Sequence, residues 1–288
     1  MRLRRAPRVE LSLHEPLPMS ARSPFSSPPP PMHIRLMTYN IRQCTTGGSR
    51  GEVDRVADVI ASTGADVVAL QEVGVRSALA GGVDQPGSLA ERLAMTRHFQ
   101  ASMPLSAGGE YGNAVLSRLP FRVMASGLLP RLPERPRREP RGASWLEVEL
   151  GGVGLHLFVT HLGLARRERL AQLDALFGNG WLSHPRRDGH AVLCGDLNFV
   201  PGSREHRLVS ARLRDALHLQ PPVKGHRATF PALRPLVRLD HAFVTEGVIV
   251  RRTEIVRRPG LQRVSDHLPV IIDLEVPALP TVAAEGVA

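Results

Sequence analysis

Short apolar runs of strand length recur along the chain and alternate with segments of helical periodicity. The first run, residues 34–40, is followed by apolar positions at helical spacing over residues 53–60, and further helices are predicted over residues 88–98 and 166–177. Strands mixed with helices throughout indicate one α/β domain over residues 33–277. The other predicted strands are DVVALQEV (66–73), NAVLS (113–117), ASWLEVEL (143–150), LHLFVTHL (155–162), AVLCGDL (191–197), LDHAFV (239–244), VIVRRTEIV (248–256) and LPVIIDLEV (268–276).

The two ends of the chain differ from this domain. Residues 1–32 contain five arginines, two glutamates and a proline run at 28–31, without a regular apolar period. Because proline fixes φ and removes a backbone donor, we expect a disordered, basic, proline-rich leader. It is either an arm that touches an anionic surface or an unfolded segment upstream of a start at Met32. Residues 278–288 are predicted to form a loose tail.

Several classes of protein are excluded by absences. No apolar run reaches the roughly 18 residues of a membrane-spanning helix, and no signal-length apolar stretch follows the leader arginines. Cys44 and Cys194 lie in unrelated segments without a CxxC motif, which excludes a disulfide framework and a cysteine zinc site. We therefore expect a cytoplasmic protein with no integral membrane association and no obligate protein partner.

The charge of the chain favours an anionic partner. The formal net charge is +10, and almost all of the 37 basic residues are arginine, with Lys224 the single lysine. Nucleic acid, anionic lipid and phosphorylated substrates all attract such a protein. The net charge of the chain therefore indicates that the partner is negatively charged, and it leaves the chemical class of that partner open.

Polar side chains lie where the apolar runs stop. Four predicted strands end in such groups and two later strands begin with them. A strand of opposite direction presents its start where its neighbours present their ends, so all six groups can meet at one crevice of a mixed sheet. The groups are Thr38-Tyr39-Asn40, Gln71-Glu72, Thr160-His161, Gly195-Asp196-Leu197-Asn198, Asp240 and Ser265-Asp266-His267.

Each of these groups is ordinary when taken alone, because a single Asp or Asn at a strand end usually caps a turn or a helix. Their coincidence at six positions indicates an oxygen-rich site with imidazoles beside it. Carboxylate and amide oxygens without thiolates suit Mg²⁺ or Mn²⁺.

The same segments carry a family resemblance. In chain order, MTYNIRQ, LQEV, YGNAVLS, VTHLG, GDLNFVPGS, RLDHAFV and SDHLPV resemble the endonuclease/exonuclease/phosphatase superfamily, nearly continuously over residues 33–276. The resemblance implies a four-layer α/β sandwich, with two packed mixed β-sheets flanked by helices and the site at one edge. It also implies hydrolysis of a phosphate-ester substrate by metal-assisted attack of water.

The resemblance further implies a role for each matching residue. Glu72 is similar to the principal metal carboxylate of the family, with Asn40 and Asp266 nearby, for Mg²⁺ or alternatively Mn²⁺. The chemistry is consistent, because Mg²⁺ keeps several waters and needs only one or two carboxylates.

The implied catalytic residues lie in four of the motifs. His267 is similar to the catalytic imidazole, paired with Asp240, an arrangement that would favour its cationic form. Asp196 and Asn198 resemble the groups that orient the attacking water and a phosphate oxygen. His161 resembles a second imidazole that donates to the phosphate.

Two further residues have two interpretations each. Arg141 either binds a phosphate, since arginine does so bidentately, or belongs to a solvated charged loop. Asn113 either bridges groups of the site or caps a turn.

The substrate class stays open between three alternatives. They are a small or lipid-linked phosphoester, DNA or RNA, and a ligand of a non-catalytic binding module. The segment ATFPALRPLVRLDHAFV lacks the tryptophans typical of the apurinic-endonuclease branch, and an aromatic content of 4% offers little for base stacking. A phosphoesterase is therefore placed before a nuclease, and the binding module last.

Overall fold

A computed structural model describes residues 31–45, 53–79, 81–132, 134, 138–221, 227–258 and 260–278. Most of the predicted leader, residues 1–30, and most of the predicted tail, residues 279–288, lie outside the described residues. Within the described part, no helix combines the length and the apolar character that crossing a membrane requires.

Twelve strands and five α-helices make up the described chain. The strands are β1 (Met32–Asn40), β2 (Val67–Val75), β3 (Thr96–Pro104), β4 (Glu110–Ser117), β5 (Phe121–Leu128), β6 (Gly142–Leu150), β7 (Val153–His161), β8 (His190–Asp196), β9 (Arg214–Asp215), β10 (Asp240–Val244), β11 (Ile249–Ile255) and β12 (Val270–Val276). The helices are α1 (Val53–Ala61), α2 (Gln85–Leu93), α3 (Arg166–Leu176), α4 (Arg204–Ser210) and α5 (Ala216–Leu219).

The strands form two six-stranded mixed sheets. One sheet has the order β11-β12-β1-β2-β4-β3 and the other has the order β5-β6-β7-β8-β10-β9. Each sheet contains one parallel pair, β1 with β2 and β7 with β8. The remaining neighbours are antiparallel.

The sheets pack face to face and are flanked by helices. Val192 and Cys194 of β8 belong to the core shared with β1, β2 and β12, whereas Leu193 belongs to a second core with Leu173 of α3 and Val209 of α4. The continuous apolar run of β8 follows from this burial on both faces. The four-layer α/β sandwich is thus confirmed.

The predicted helix over residues 88–98 was wrong in its extent. Helix α2 ends at Leu93, and Ala94 has a left-handed backbone with φ of 51° that closes it. Residues 96–104 form β3, at one end of its sheet. Strand β5, which the sequence did not predict, is also an edge strand. Edge strands bury less apolar surface, and their sequences therefore lack a clear period.

Candidate active site

The pairing of the strands brings several predicted site residues together. In the second sheet, Asp196 at the end of β8 lies opposite Asp240 at the start of β10 and beside His161 at the end of β7. In the first sheet, Asn40 at the end of β1 lies beside Gln71 of β2. The C-terminal ends of β1 and β2 in one sheet, and of β7 and β8 in the other, therefore lie at one edge of the sandwich. The start of the antiparallel strand β10 lies at the same edge.

Glu72 reaches this edge through a β-bulge. Strand β2 extends from Val67 to Val75, two residues beyond the predicted end at Val73, so Gln71 and Glu72 lie inside the strand and not at its end. The register with β4 shifts between Leu70 and Val73, and Glu72 has a left-handed φ of 57°. A bulge re-aims one side chain without ending the strand, and a non-glycine residue in this conformation costs of order 1–3 kcal/mol.

Gly195, directly before Asp196, is required by the backbone. Its φ is +144°, and a Cβ there would lie 1.8 Å from the carbonyl oxygen of Thr160. Only glycine allows β8 to approach β7 so closely while Asp196 enters the cleft. The glycine at the first position of the GDLN motif is thus explained by the close approach of the two strands.

Asn40 joins two carboxylates from different sheets. Its Nδ2 atom donates to Oε1 of Glu72 at 2.9 Å and to Oδ2 of Asp196 at 3.0 Å. Its Oδ1 atom accepts from the backbone N–H of Arg42 at 3.0 Å, which orients the amide. Asn40 is fully buried, so this bridge fixes how the two sheets face each other at the site.

His267 is held by Asp240. The two side chains contact through Nδ1 and Oδ2 at 2.8 Å, and Nε2 of His267 lies 3.6 Å from Oδ2 of Asp196. Burial lowers the pKa of His267, but the Asp240 carboxylate outweighs it and raises this pKa to about 10. The imidazole is therefore cationic at neutral pH, and its Nε2–H is directed into the cleft.

Asp196 lies among carboxylates and is fully enclosed. Burial, together with the negative charge of Asp240, raises the pKa of Asp196 to about 7, against the opposing effects of His267 and Asn40. Its Oδ1 atom accepts from the backbone N–H of Asn198 at 3.1 Å. A carboxyl group with this pKa exchanges a proton readily near neutral pH.

His161 lies between two donors. Nη1 of Arg141 contacts its Nδ1 atom at 2.9 Å, and Nδ2 of Asn198 contacts its Nε2 atom at 3.0 Å. A neutral imidazole accepts at only one nitrogen. The charged guanidinium is the stronger donor, so we assign the accepting role to Nδ1 and the hydrogen to Nε2, 3.4 Å from Oδ2 of Asp196. The Nδ2 atom of Asn198 then donates to the carbonyl oxygen of Leu162, at 2.9 Å, and not to His161. Burial, and then Arg141, hold the pKa of His161 well below 6.5.

The remaining predicted residues take different positions. The Asp266 carboxylate lies 3.5 Å from Nε of Arg42 and outside the groups of converging ligand atoms among the described residues. Asn113 donates to the carbonyl oxygen of Gly142 and to Gln100, so it bridges strands. Arg141 is only 5% exposed and does not belong to a solvated loop.

The clustered donor atoms fit a hard divalent cation. One atom each from Glu72, His161 and Asp196 lies within 4.8 Å of the others, and the same holds for Asp196, Asp240 and His267. The carboxylate oxygens are the ligands that such an ion can use, because Nε2 of His161 and both ring nitrogens of the cationic His267 carry hydrogens. Thiolates take no part in either group. Oxygen ligands suit Mg²⁺ or Mn²⁺, and a cation would offset the negative charge that, after burial, raises the pKa of Asp196.

A second buried polar cluster lies behind β10 and was not predicted. Asp215 accepts from Arg238 and from His206, the latter at 2.9 Å, and Nε2 of His241 contacts the carbonyl oxygen of Phe199 at 2.8 Å. Because the Arg238 guanidinium already neutralises Asp215, the cluster is a structural network. It ties β9 and α4 to the strand that begins with Asp240.

The fold and the cleft together define an α/β sandwich with an acidic and imidazole-bearing site where its two sheets meet. The model of the Endonuclease/Exonuclease/phosphatase family matches residues 37–267. The chain belongs to this family, whose members are hydrolases of phosphoester bonds.

Solved structures show the same fold. An endonuclease/exonuclease/phosphatase from Beutenbergia cavernae is 25% identical, with 88% of this chain and 74% of that chain covered and a TM-score of 0.68. The mannosyl-6-phosphatase of Bacteroides thetaiotaomicron is 17% identical, with 84% and 99% covered and a TM-score of 0.65. The catalytic domain of human Nocturnin, with a bound sulfate anion, is 22% identical, with 88% and 100% covered and a TM-score of 0.64. A comparison with curated proteins gives no significant match.

Proposed function

We propose that this protein is a divalent-cation-dependent phosphoesterase that hydrolyses a phosphodiester or phosphomonoester by attack of water. The observation that carries the proposal is the convergence of Glu72, Asp196, Asp240 and His267 at one edge of the sandwich. A carboxylate suited to a cation and an imidazole that holds a proton support hydrolysis, because a non-catalytic binding module has no need of the two together.

Glu72 is the principal carboxylate for the cation, Mg²⁺ or alternatively Mn²⁺. Asn40 holds the Glu72 side chain in place, and Asp266 adds negative charge at the same edge. When bound, the cation neutralises charge on the phosphate oxygens and lowers the pKa of a bound water.

The other residues of the cleft handle protons and orientation. His267, kept cationic by Asp240, holds a proton at Nε2 for an oxygen of the phosphate or of the leaving group. Asp196 and Asn198 orient the attacking water, and His161 donates from Nε2 to a phosphate oxygen. A positioned acid or base of this kind contributes typically about 10²–10⁴-fold in rate.

Two of the structural relatives support this class of substrate. One is named as a sugar phosphatase, and another holds a sulfate anion, which has the tetrahedral shape and the charge of a phosphate group.

The net charge of +10 favours nucleic acid as the alternative substrate. A nuclease that contacts many phosphates loses affinity steeply with salt, because binding releases counterions. Hydrolysis of a small phosphoester depends much less on salt.

A substrate comparison tests the proposal. Turnover of bis-p-nitrophenyl phosphate, p-nitrophenyl phosphate and plasmid DNA would be measured with Mg²⁺, with Mn²⁺ and with EDTA, at several salt concentrations. We expect cation-dependent turnover of a small ester and little nicking of DNA. Efficient, strongly salt-dependent nicking would replace the proposal with the nuclease, and absence of turnover on all three would refute hydrolysis.

A further inference from the structure

Exposed apolar side chains lie on loops that adjoin the site. The three most exposed large hydrophobic residues of the described chain lie on two such loops, and Val200 lies on a third. We define the apolar rim as Leu164, Val200, Leu233 and Leu236, which are 70%, 41%, 72% and 79% exposed.

Each loop of the rim is attached to a residue of the site. Leu164 follows His161 by three positions, and Val200 follows Asn198 by two. The loop with Leu233 and Leu236 packs on the site at His267. There the Phe230 ring lies 4.9 Å from the ring of His267, and the N–H of Ala232 donates to the carbonyl oxygen of Asp266. The loops that carry the rim are therefore attached directly to His161, Asn198 and His267 of the site.

The exposed charges between these apolar side chains are all positive. Within residues 162–168, 199–207 and 230–238, the exposed charged side chains are Arg166, Arg167, Arg204, Arg207 and Arg234. Arg167 pairs with Glu134 at 3.6 Å. The two acidic residues of these segments, Glu168 and Glu205, are both 2% exposed.

This combination fits an anionic membrane surface. Exposed leucines favour a partner that buries them in an apolar phase, and arginines around them match an anionic surface. Phospholipid bilayers offer both, since acyl chains lie under anionic headgroups. Nucleic acid offers the charge, but its recognition uses aromatic stacking, and the rim consists of aliphatic side chains.

We propose that the apolar rim docks on an anionic phospholipid surface and that the phosphoester which enters the cleft is lipid-linked. The second half of this inference rests on the proposed function, because it assigns a substrate class to the same site. The first half concerns binding alone.

Vesicle binding tests the docking directly. The full chain would be sedimented with vesicles of phosphatidylcholine alone and of phosphatidylcholine with phosphatidylglycerol. We expect binding to the anionic vesicles. The triple variant Leu164→Gln, Leu233→Gln and Leu236→Gln should bind them at least about tenfold more weakly, because three apolar side chains no longer enter the bilayer.

A matched control uses exposed apolar residues elsewhere. Val123 and Ile249 are 42% and 39% exposed and lie on the edge strands β5 and β11, outside the rim loops. The variant Val123→Thr, Ile249→Thr should bind as the unchanged protein does. If the rim variant bound anionic vesicles as tightly as the unchanged protein, for example through the N-terminal arginines, the docking proposal would be overturned. Absence of binding of the unchanged protein to anionic vesicles would also overturn it.

Turnover separates the two proposals. With bis-p-nitrophenyl phosphate, which needs no membrane, the rim variant should retain the activity of the unchanged protein. On a phosphodiester embedded in anionic vesicles, its activity should fall at least about tenfold with the lost binding. Vesicle binding without turnover of any ester would refute the proposed function and keep the docking. Equal activity of both proteins on the embedded ester would refute the lipid-linked substrate.

Discussion

The Nδ1 atom of His267 lies 2.8 Å from the Oδ2 atom of Asp240, and both side chains are buried. The other carboxylate oxygen, Oδ1 of Asp240, has no hydrogen-bond partner among the described residues. Asp240 thus depends on His267 for compensation of its charge, while His267 depends on Asp240 for its proton. The proposed catalytic role of His267 and the stability of the fold are therefore coupled through this one contact.

Replacement of His267 should therefore have two separable effects. His267→Ala should lower kcat by about 10²–10⁴-fold, because the proton held at Nε2 is lost. It should also lower the Tm, because the buried Asp240 carboxylate is left unpaired. Adding Asp240→Asn should recover the Tm without recovering activity. Steady-state kinetics and thermal denaturation of the two variants check both effects, and a fully active His267→Ala would disprove the assignment.

A negative charge at position 40 should lower the Tm of the protein and increase its response to Mg²⁺. Asn40→Asp replaces the amide that donates to Glu72 and Asp196 by a third carboxylate, so we expect a lower Tm from like-charge repulsion. Mg²⁺ should raise the Tm of this variant more than that of the unchanged protein, since a cation that binds only the folded state stabilises it.

Asn40→Ala is the control, because it removes the bridge without adding charge. Its Tm should fall, and its response to Mg²⁺ should not exceed that of the unchanged protein. An Asn40→Asp variant with an unchanged Tm in EDTA would show that the amide does not bridge the carboxylates.

The tautomer of His161 should depend on Arg141. In the unchanged protein, two-bond ¹H–¹⁵N spectra should show the hydrogen on Nε2. Arg141→Met removes the donor at Nδ1, so Asn198 can donate to Nε2 and the hydrogen should move to Nδ1. A hydrogen on Nδ1 already in the unchanged protein would contradict the arrangement described for this pair.

The cluster behind β10 should contribute less stability in mild acid, an effect opposite in sign to that of Asp196, whose raised pKa adds stability as the pH falls from about 7. Burial, and then Arg238, lower the pKa of His241 from 6.5 to about 3. The unfolded chain binds this proton first, so the contribution of His241 to the free energy of unfolding should decrease as pH falls from about 6.5 to about 3, by up to about 1.4 kcal/mol per pH unit.

Asp215 adds to this effect at lower pH. Burial raises its pKa, but the Arg238 guanidinium outweighs burial and lowers it below 3.8, so the stability it contributes is lost only as pH falls through that range. Urea unfolding between pH 7 and pH 4 checks the His241 effect. The slope should flatten in His241→Asn and persist in His33→Gln, where the ring is 72% exposed. Equal slopes in both variants would count against His241.

Much of the sandwich is predictable because its central strands are buried on both faces. Strands β2 and β8 contain the continuous apolar runs 67–70 and 191–194, and such a run bounded by polar residues identifies a strand. The edge strands β3 and β5 have no such run, and for this reason the helix predicted over residues 88–98 overlaps the first residues of β3.

The members of the site are predictable as residue types at strand boundaries, but their orientation is not. The bulge at Glu72 depends on how β2 pairs with β4, and no local pattern encodes that register. The same is true of the contact between Arg141 and His161, which are 20 positions apart. The cluster around Asp215 escaped prediction because its members are common residue types that only the tertiary fold assembles.

The most direct test of the account compares Glu72→Gln with Glu149→Gln during a Mg²⁺ titration of bis-p-nitrophenyl phosphate turnover. Glu149 is an exposed carboxylate near the C-terminal end of β6, whereas the site residue Arg141 directly precedes the N-terminal end of this strand. We expect the unchanged protein and Glu149→Gln to be inactive in EDTA and to recover activity with Mg²⁺. Glu72→Gln should stay at least about 10²-fold slower at the same Mg²⁺ concentration. Turnover that persists in EDTA, or a Glu72→Gln titration that matches the unchanged protein, would contradict it.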